Sequence, residues 1–422
     1  MEAVARGLYS ALLLALKPFY VARLWRRGAR EPAYREHIGE RLGHYEGEAP
    51  ARRFIWLHAV SLGETRAAAP LVDALRRRRP DMPLLLTSST ATGREAGLKL
   101  LREGDVQVWL PYDTPGAVRR FLRRFRPAVG VLMETEIWPN LLHVADSEGV
   151  PVVLANARLS ERSAKKGRRL SALLHPAAAR LRAVLAQTES DASRLRQAGA
   201  PKVEVCGNLK FDVTPAPRLL ERGVQWRRAL GRAVVVAAST REGEETALLA
   251  AWREHPAPRP LLLLVPRHPQ RFDAVAALVE QAGLSFARRS AWPGDPPPEA
   301  HALDAWLGDT MGEMPLYYAA ADVALLGGSF EPFGGQNLIE AAACGCPVVM
   351  GPHTYNFAEA AALSLAARAS LRVKDLAEGV QQAISLSEDG QRHRWAERAL
   401  AFAQAHRGAT ERMAERIDAL IA

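Results

Sequence analysis

Short apolar runs recur along this chain, each followed by an amphipathic stretch of helical period, and that alternation restricts the fold more than any other feature. The runs span residues 54–60, 83–87, 106–110, 128–133, 151–155 and 183–187. The pattern becomes irregular and proline-bearing at 211–218, then restarts at 233–238, 260–266, 322–327 and 346–351. Strands that are apolar throughout are buried on both faces, as happens when helical crossovers cover a parallel sheet. The expected fold is α/β, with two Rossmann-like doubly wound lobes facing a cleft. At 422 residues, each lobe is large enough to bury its own core without disulfides. Cys206, Cys344 and Cys346 form no CxxC pair, so neither a disulfide framework nor a zinc site is expected, and a reducing, cytoplasmic compartment suits the chain.

In doubly wound sheets, ligands bind beyond the carboxyl ends of the strands, so the residues just after each run carry the functional reading. The most informative is the turn Gly327-Gly-Ser-Phe-Glu-Pro-Phe-Gly-Gly-Gln-Asn-Leu-Ile-Glu340, set between an apolar run and a helical one. Gly327, Gly328, Ser329, Gly334, Gly335 and Asn337 are candidates to cradle a phosphate against free N–H groups, with Glu340 placed for a ribose diol. Three further segments of the second half point the same way: Ser239 in Ala238–Glu244, Arg267 in Val265–Pro269, and Met311 and Gly312 in Gly308–Met314. Arg267 is a bidentate donor suited to a phosphate or carboxylate. Each segment alone is also an ordinary cap or turn; their convergence after strands of one sheet favours a nucleotide.

In the first half, the run at 54–60 leads into His58-Ala-Val-Ser-Leu-Gly-Glu64. Glu64 stands where the turn opens a helix and can accept a proton from a sugar hydroxyl; the bland alternative is a first-turn acid that complements the helix dipole. His58 reads as a hydrogen-bonded core residue and is assigned no role. Ser61 and Gly63 flank Glu64, while Glu134 and Glu136 follow the fourth run and Asn156 and Arg158 the fifth, all as acceptor or cleft candidates. No histidine or aspartate cluster completes a metal site around the glutamates, so no metal is expected.

The charge balance, 56 Lys and Arg against 46 Asp and Glu, implies an acidic partner. Arginine clusters at 23–35, 76–79 and 119–126, with a further basic cluster at 165–169, lack interleaved aromatics, which argues against nucleic acid. The apolar stretch from Leu8 to Trp25 is interrupted by Lys17 and Pro18 and followed by arginines, the pattern of a helix lying on an anionic membrane. A signal peptide is disfavoured, because the arginines follow the apolar run instead of preceding it. The expected organisation is a membrane-associated segment at 1–30, an acceptor-binding lobe at 31–215, and a donor-binding lobe with C-terminal helices at 216–422.

Taken in order, these segments resemble the Kdo (3-deoxy-D-manno-octulosonic acid) transferase family of lipopolysaccharide biosynthesis. The resemblance rests on Tyr34-Arg35, Gly39–Gly43, Ser61-Leu-Gly-Glu64, Glu134-Thr-Glu-Ile-Trp-Pro-Asn140, Asn156-Ala-Arg158, Gly207–Lys210, Arg267-His-Pro269, Asp309–Glu313 and Gly327 to Glu340. It implies a GT-B fold and inverting transfer from CMP-Kdo to a lipid A precursor (lipid IVA), with Glu64 as general base and CMP-Kdo as co-substrate. No cofactor or metal is implied, and the location implied is the cytoplasmic face of the inner membrane. Where that family pattern leads one to expect Gly-Gly-His-Asn, this chain has Gln336, which hydrogen-bonds but cannot take up a proton and positive charge as a histidine can. Two other readings stay open: another GT-B nucleotide-sugar transferase or epimerase, and a basic scaffold binding nucleic acid or membrane.

Overall fold

The computed structural model describes residues 2–388, 390 and 392–421. Among these residues, fourteen strands form two seven-stranded sheets. The first contains β1 (Ile55–His58), β2 (Leu84–Ser88), β3 (Val106–Trp109), β4 (Val129–Met133), β5 (Val152–Ala157), β6 (Ala183–Ala186) and β7 (Val203–Val205). Its order is β3-β2-β1-β4-β5-β6-β7. The second contains β8 (Val234–Thr240), β9 (Leu261–Pro266), β10 (Phe286–Arg288), β11 (Ala305–Leu307), β12 (Val323–Leu326), β13 (Val348–Met350) and β14 (Ser370–Arg372), ordered β10-β11-β9-β8-β12-β13-β14. The pairings are parallel, including β1 with β2 and β4, and β8 with β9 and β12.

Strand order reverses direction between β1 and β4 in one sheet and between β8 and β12 in the other, so each sheet has its topological switch point there. Alternation along β1 shows how both faces are filled. Trp56 packs with Phe121, Leu132 and Leu154 on one side, while Ile55 and Leu57 pack with Leu71, Val131 and Met413 on the other. In the second sheet, Val235, Ala237, Leu262, Leu264 and Val323 pack from one face against Leu248, Trp252 and Val380.

The chain divides into two compact units, one running up to Asp212 and resuming at Arg407, the other Val213–His406. The expected second lobe at 216–422 therefore loses its last helix, Ala409–Asp418, to the first unit. The reason is an apolar face. Met413, Ala414 and Ile417 join the core beneath the helix Leu62–Arg78, Asp212 Oδ1 accepts from Gly408 N at 2.6 Å, and Arg77 pairs with Glu411 at 2.6 Å.

The N-terminal helix Glu2–Arg27 is continuous through Pro18, where the sequence suggested an interruption. A proline removes one backbone hydrogen bond from a helix but leaves its other turns able to form. Among the described residues this is the one helix long and apolar enough, by length and composition, to cross a membrane. Ser10 Oγ donates to Asn140 Oδ1 at 3.1 Å, Glu2 pairs with Arg180 at 2.6 Å, and Tyr20 stacks on Tyr112. Its other side leaves Val4, Leu8, Leu12 and Phe19 more than half exposed.

Candidate functional site

Each unit concentrates its chemistry at its own switch point. In the first, β1 ends at His58 and the helix Leu62–Arg78 begins after Ser61, whose hydroxyl accepts from Glu64 N at 3.4 Å. Glu64 reaches back: Oε2 accepts from Val60 N at 2.9 Å and Oε1 from the Ser61 hydroxyl at 3.0 Å. This variant of the capping box positions the carboxylate by local sequence alone. Glu64 is only half-buried, so the lone pairs left over remain accessible. Burial raises its pKa, opposed by those two hydrogen bonds, and the nearby Glu134 raises it further.

Glu134 follows β4 directly, with a left-handed backbone at φ 58°, a conformation that costs a non-glycine residue and is kept mostly where the side chain must be aimed. Glu136, two residues on, accepts from Trp138 Nε1 at 2.7 Å. Its pKa is pushed up to about 7, chiefly by burial, with the fields of Glu64 and Glu134 adding to it and the Trp138 bond opposing. The three glutamates therefore share one electrostatic environment. His58 lies 3.9 Å from Glu136 but is fully buried, with Nδ1 2.9 Å from the Thr87 hydroxyl. Burial pushes it down to about 4, so it is neutral at pH 7 and belongs to the core.

The other expected residues of this half separate from the glutamates. Gly63 is exposed on the first helical turn. Asn156 is fully buried, with φ 50°, and its Oδ1 accepts from Leu209 N at 3.1 Å, so it fastens the segment after β7 and is closed to a ligand. Arg158 N donates to the Glu134 carbonyl at 3.2 Å, tying the two loops, while its side chain borders a cavity of about 280 Å³ shared with Ser163, Leu174 and His175. Among the described residues, no group of three or more His, Cys, Asp or Glu is arranged to hold a metal ion.

In the second unit the glycine turn differs from its expected role. The N–H groups of Gly328 and Phe330 donate to the buried carboxylate of Glu244, at 2.8 and 3.2 Å, and Arg241 N donates to it at 2.8 Å. An internal carboxylate thus occupies donors that the sequence assigned to a phosphate. Gly327 is required by close packing, since a Cβ there would lie 2.3 Å from the Ser239 carbonyl oxygen. Ser329 is fully buried, its hydroxyl donating to the Leu326 carbonyl at 2.5 Å and accepting from Gly351 N at 2.9 Å, which removes it from any ligand. Gly334 and Gly335 have φ of 90° and 76°, and Gly335 N closes the turn on the Gly328 carbonyl at 2.6 Å. Asn337 caps the following helix by accepting from Ile339 N at 3.1 Å, and Gln336 lies against Gly328.

What remains for an anion is side-chain charge. Arg241 follows the strained Ser239 (φ 58°) at the end of β8 and lies 4.5 Å above the Phe333 ring, and Arg267 follows β9. Among the described residues neither guanidinium has a carboxylate partner within ion-pair distance, whereas Arg271 is held by Glu245 at 2.9 Å. All three fields reach His268, whose pKa is lowered first by burial and then by Arg241, Arg267 and Arg271, so the cations converge. Arg241 belongs to the Ala238–Glu244 segment that the sequence offered to an anion, although Ser239 was the residue chosen from it. Met311 is exposed on a turn with Gly312 at φ 83°, and the turn is stiffened by Thr310, Glu313 and Tyr317, with Arg289 pairing Glu313 at 2.8 Å. Glu340 is half-buried, burial raises its pKa, and its carboxylate has no protein partner among the described residues.

Comparison with known proteins gives two family matches: residues 36–213 match the family described as 3-Deoxy-D-manno-octulosonic-acid transferase (kdotransferase), and 305–402 match glycosyl transferases group 1. The chain is 48% identical over 429 residues to a 3-deoxy-D-manno-octulosonic acid transferase of Bordetella pertussis, covering 98% of this chain and 99% of the relative. It is 34% identical to the Haemophilus influenzae protein of the same name, with 97% of each chain covered. A glycosyltransferase structure from Rickettsia africae superposes with a TM-score of 0.54 at 12% identity, covering 88% of this chain and 99% of that one, a likeness of fold.

Proposed function

The chain belongs to the 3-deoxy-D-manno-octulosonic acid (Kdo) transferase family, with a GT-B fold, and from that membership we propose that it moves Kdo from CMP-Kdo to a hydroxyl of a lipid A precursor, lipid IVA, with inversion. The coarser statement, a Kdo-transferring glycosyltransferase, follows from the family. The donor, acceptor and stereochemistry go further and are our own reading, supported by the charges at the two switch points.

In this reading the acceptor hydroxyl oxygen attacks the anomeric carbon, its proton passes to Glu64, and the bond to the CMP phosphate breaks with its electron pair left on the phosphate oxygen. Attack from one face with departure from the other inverts the centre. The observation that carries the assignment is the state of Glu64: held at its place by Val60 N and Ser61, half-buried, and raised in pKa, it is a carboxylate with increased basicity and open lone pairs. Arg267 and Arg241 supply positive charge to the departing phosphate, in the manner of fixed donors aimed at charge that grows in the transition state. With arginine in that role the displacement needs no metal ion. Glu340 accepts from the ribose hydroxyls, and the Met311–Gly312 turn contacts the base.

The N-terminal helix lies on the cytoplasmic face of the inner membrane. Its exposed Val4, Leu8, Leu12 and Phe19, followed by Arg23, Arg26, Arg27 and Arg30, support that placement. The test is incubation of the purified full-length protein with freshly generated CMP-Kdo and tetraacylated lipid A precursor, reading lipid mass. Mass rising in Kdo increments is expected. An unchanged lipid alongside turnover of a UDP-sugar rejects the reading.

A further inference from the structure

The Met311–Gly312 turn, read above as the contact for the nucleobase, carries its chemistry on the backbone. Met311 is exposed at the apex, Gly312 has φ 83°, and among the described residues no hydrogen bond engages the N–H or carbonyl of either. The carboxylates at the two ends of the turn are already engaged. Asp309 accepts from Ser290 N at 2.8 Å and from the Ser290 hydroxyl at 2.6 Å. Glu313 Oε1 accepts from Arg289 Nη2 at 2.8 Å, and its Oε2 accepts from the Thr310 hydroxyl and from Tyr317 Oη at 3.1 Å. Burial pushes the Glu313 pKa up, yet the bonds from Thr310, Arg289 and Tyr317 outweigh it and hold the group below its ordinary value, so it is ionised at pH 7.

Both anchors come from one short segment directly after β10, where Arg289 and Ser290 are neighbours. Arg289 is seated against a tryptophan cluster. It is buried, donates to the Trp292 carbonyl at 2.7 Å and lies 5.3 Å from the centre of the Trp226 ring, and Trp226 in turn packs edge to face with Trp292 and Trp306. A guanidinium held by this cluster on one side and by Glu313 on the other passes the rigidity of packed rings to the turn. Without such support, an exposed apex moves by more than the geometry of a hydrogen bond tolerates.

We propose that Arg289 is a positioning residue for the choice of nucleobase: acting through Glu313, with Ser290 fixing Asp309 at the other end, it holds the Met311–Gly312 backbone where a free carbonyl accepts the exocyclic amine of cytosine. Uracil presents an oxygen at that position, so a fixed acceptor repels it, whereas a mobile turn adapts to either base. The discrimination resides in the stiffness of the turn, with no side chain reading the base. This inference rests on the CMP-sugar reading above and adds to it the residue that sets the choice of base.

The experiment is calorimetric titration of the full-length protein with CMP, UMP and ribose 5-phosphate, the last of which lacks a base. Wild type is expected to favour CMP over UMP by about tenfold or more, the scale of one base-edge hydrogen bond. Arg289→Met brings that ratio to within about threefold while ribose 5-phosphate binds as in wild type, a split that general loosening of the site does not produce. Arg289→Lys, which keeps a charge against Glu313, retains part of the preference. Should Arg289→Met fail to fold by circular dichroism, Ser290→Ala, at an exposed position, must lower the ratio severalfold. Equal binding of CMP and UMP by wild type overturns the inference alone, as does a folded Arg289→Met that keeps the wild-type ratio. An equal loss of all three ligands in that variant makes Arg289 merely structural and overturns it too. Wild type that binds neither nucleotide overturns the nucleotide reading and the inference with it.

Discussion

Both sheets place a glutamate where the first strand hands over to its helix, and the two carboxylates have opposite fates. Glu244, after β8, is buried, and its oxygens accept from the N–H groups of Arg241, Gly328 and Phe330. Glu64, after β1, is half-buried and accepts from Val60 N and Ser61 on the side facing its own loop. One carboxylate replaces a ligand and holds a turn together, while the other is positioned yet open. The surrounding charge divides in the same way. Glu134 and Glu136 stand beside Glu64 and make that switch point rich in carboxylates, whereas Arg241 and Arg267 make the other cationic. In the proposed reading, proton removal and phosphate binding want opposite fields, and each falls to its own sheet.

The comparison breaks most sharply at Glu64. Glu64→Gln keeps an oxygen for the cap but is not a base, so transfer should drop by about 10²–10⁴ in a lipid-mass assay. The wild-type rate should also fall as pH drops through the raised pKa of Glu64, and that dependence should vanish from any residual activity of the variant. Glu64→Ala is the poorer probe, since it also removes a cap worth about 1 kcal/mol.

Glu244→Ala should do the reverse. Leaving three backbone donors without their acceptor costs about 3 kcal/mol, seen as a lowered denaturation midpoint, while any transfer by the folded fraction retains its pH dependence. Arg267→Ala should weaken CMP binding by about tenfold to a hundredfold in calorimetry and leave thermal stability close to wild type, because among the described residues no carboxylate pairs with it.

Glu136 sharpens the electrostatic half of the comparison. Its folded pKa near 7 lies above the ordinary 4.5, so the folded protein holds a proton that the unfolded chain has released. Stability contributed by that proton is present below the ordinary value and is lost as pH rises through the folded one. Glu136→Gln escapes the loss, so its stability relative to wild type should grow between about pH 4.5 and 7 and level off at roughly 3 kcal/mol above it. Denaturant melts at pH 5 and pH 8 decide it, and a constant difference across the window would remove the acidic cluster from the account.

The sheets were legible in the sequence because their central strands are buried on both faces and read as unbroken apolar runs: β1, β2, β4, β8 and β9 fall within a residue or two of the runs that announced them. β7, β10, β11 and β14 did not announce themselves, since each is three residues long and three of them stand at sheet edges, where exposed residues such as Glu204 and Val205 dilute the pattern. Glu64 was legible from Ser61-Leu-Gly-Glu64, a local cap that needs no distant partner. The glycine turn was only half legible. Its conformation follows from its own residues, but the occupant of its N–H groups, Glu244, lies 84 residues away from Gly328 in sequence. The first unit's claim on the C-terminal helix was hidden for the same reason: Met413 and Ile417 look like any amphipathic stripe until the face they cover is known.

The central claim is that Glu64 performs the proton transfer while the second unit alone holds the nucleotide. The most direct measurement is single-turnover transfer by full-length Glu64→Gln under saturating CMP-Kdo, preceded on the same preparation by a CMP titration. The account predicts CMP affinity equal to wild type with transfer nearly abolished. Transfer at the wild-type rate by a variant with an intact nucleotide site would contradict it.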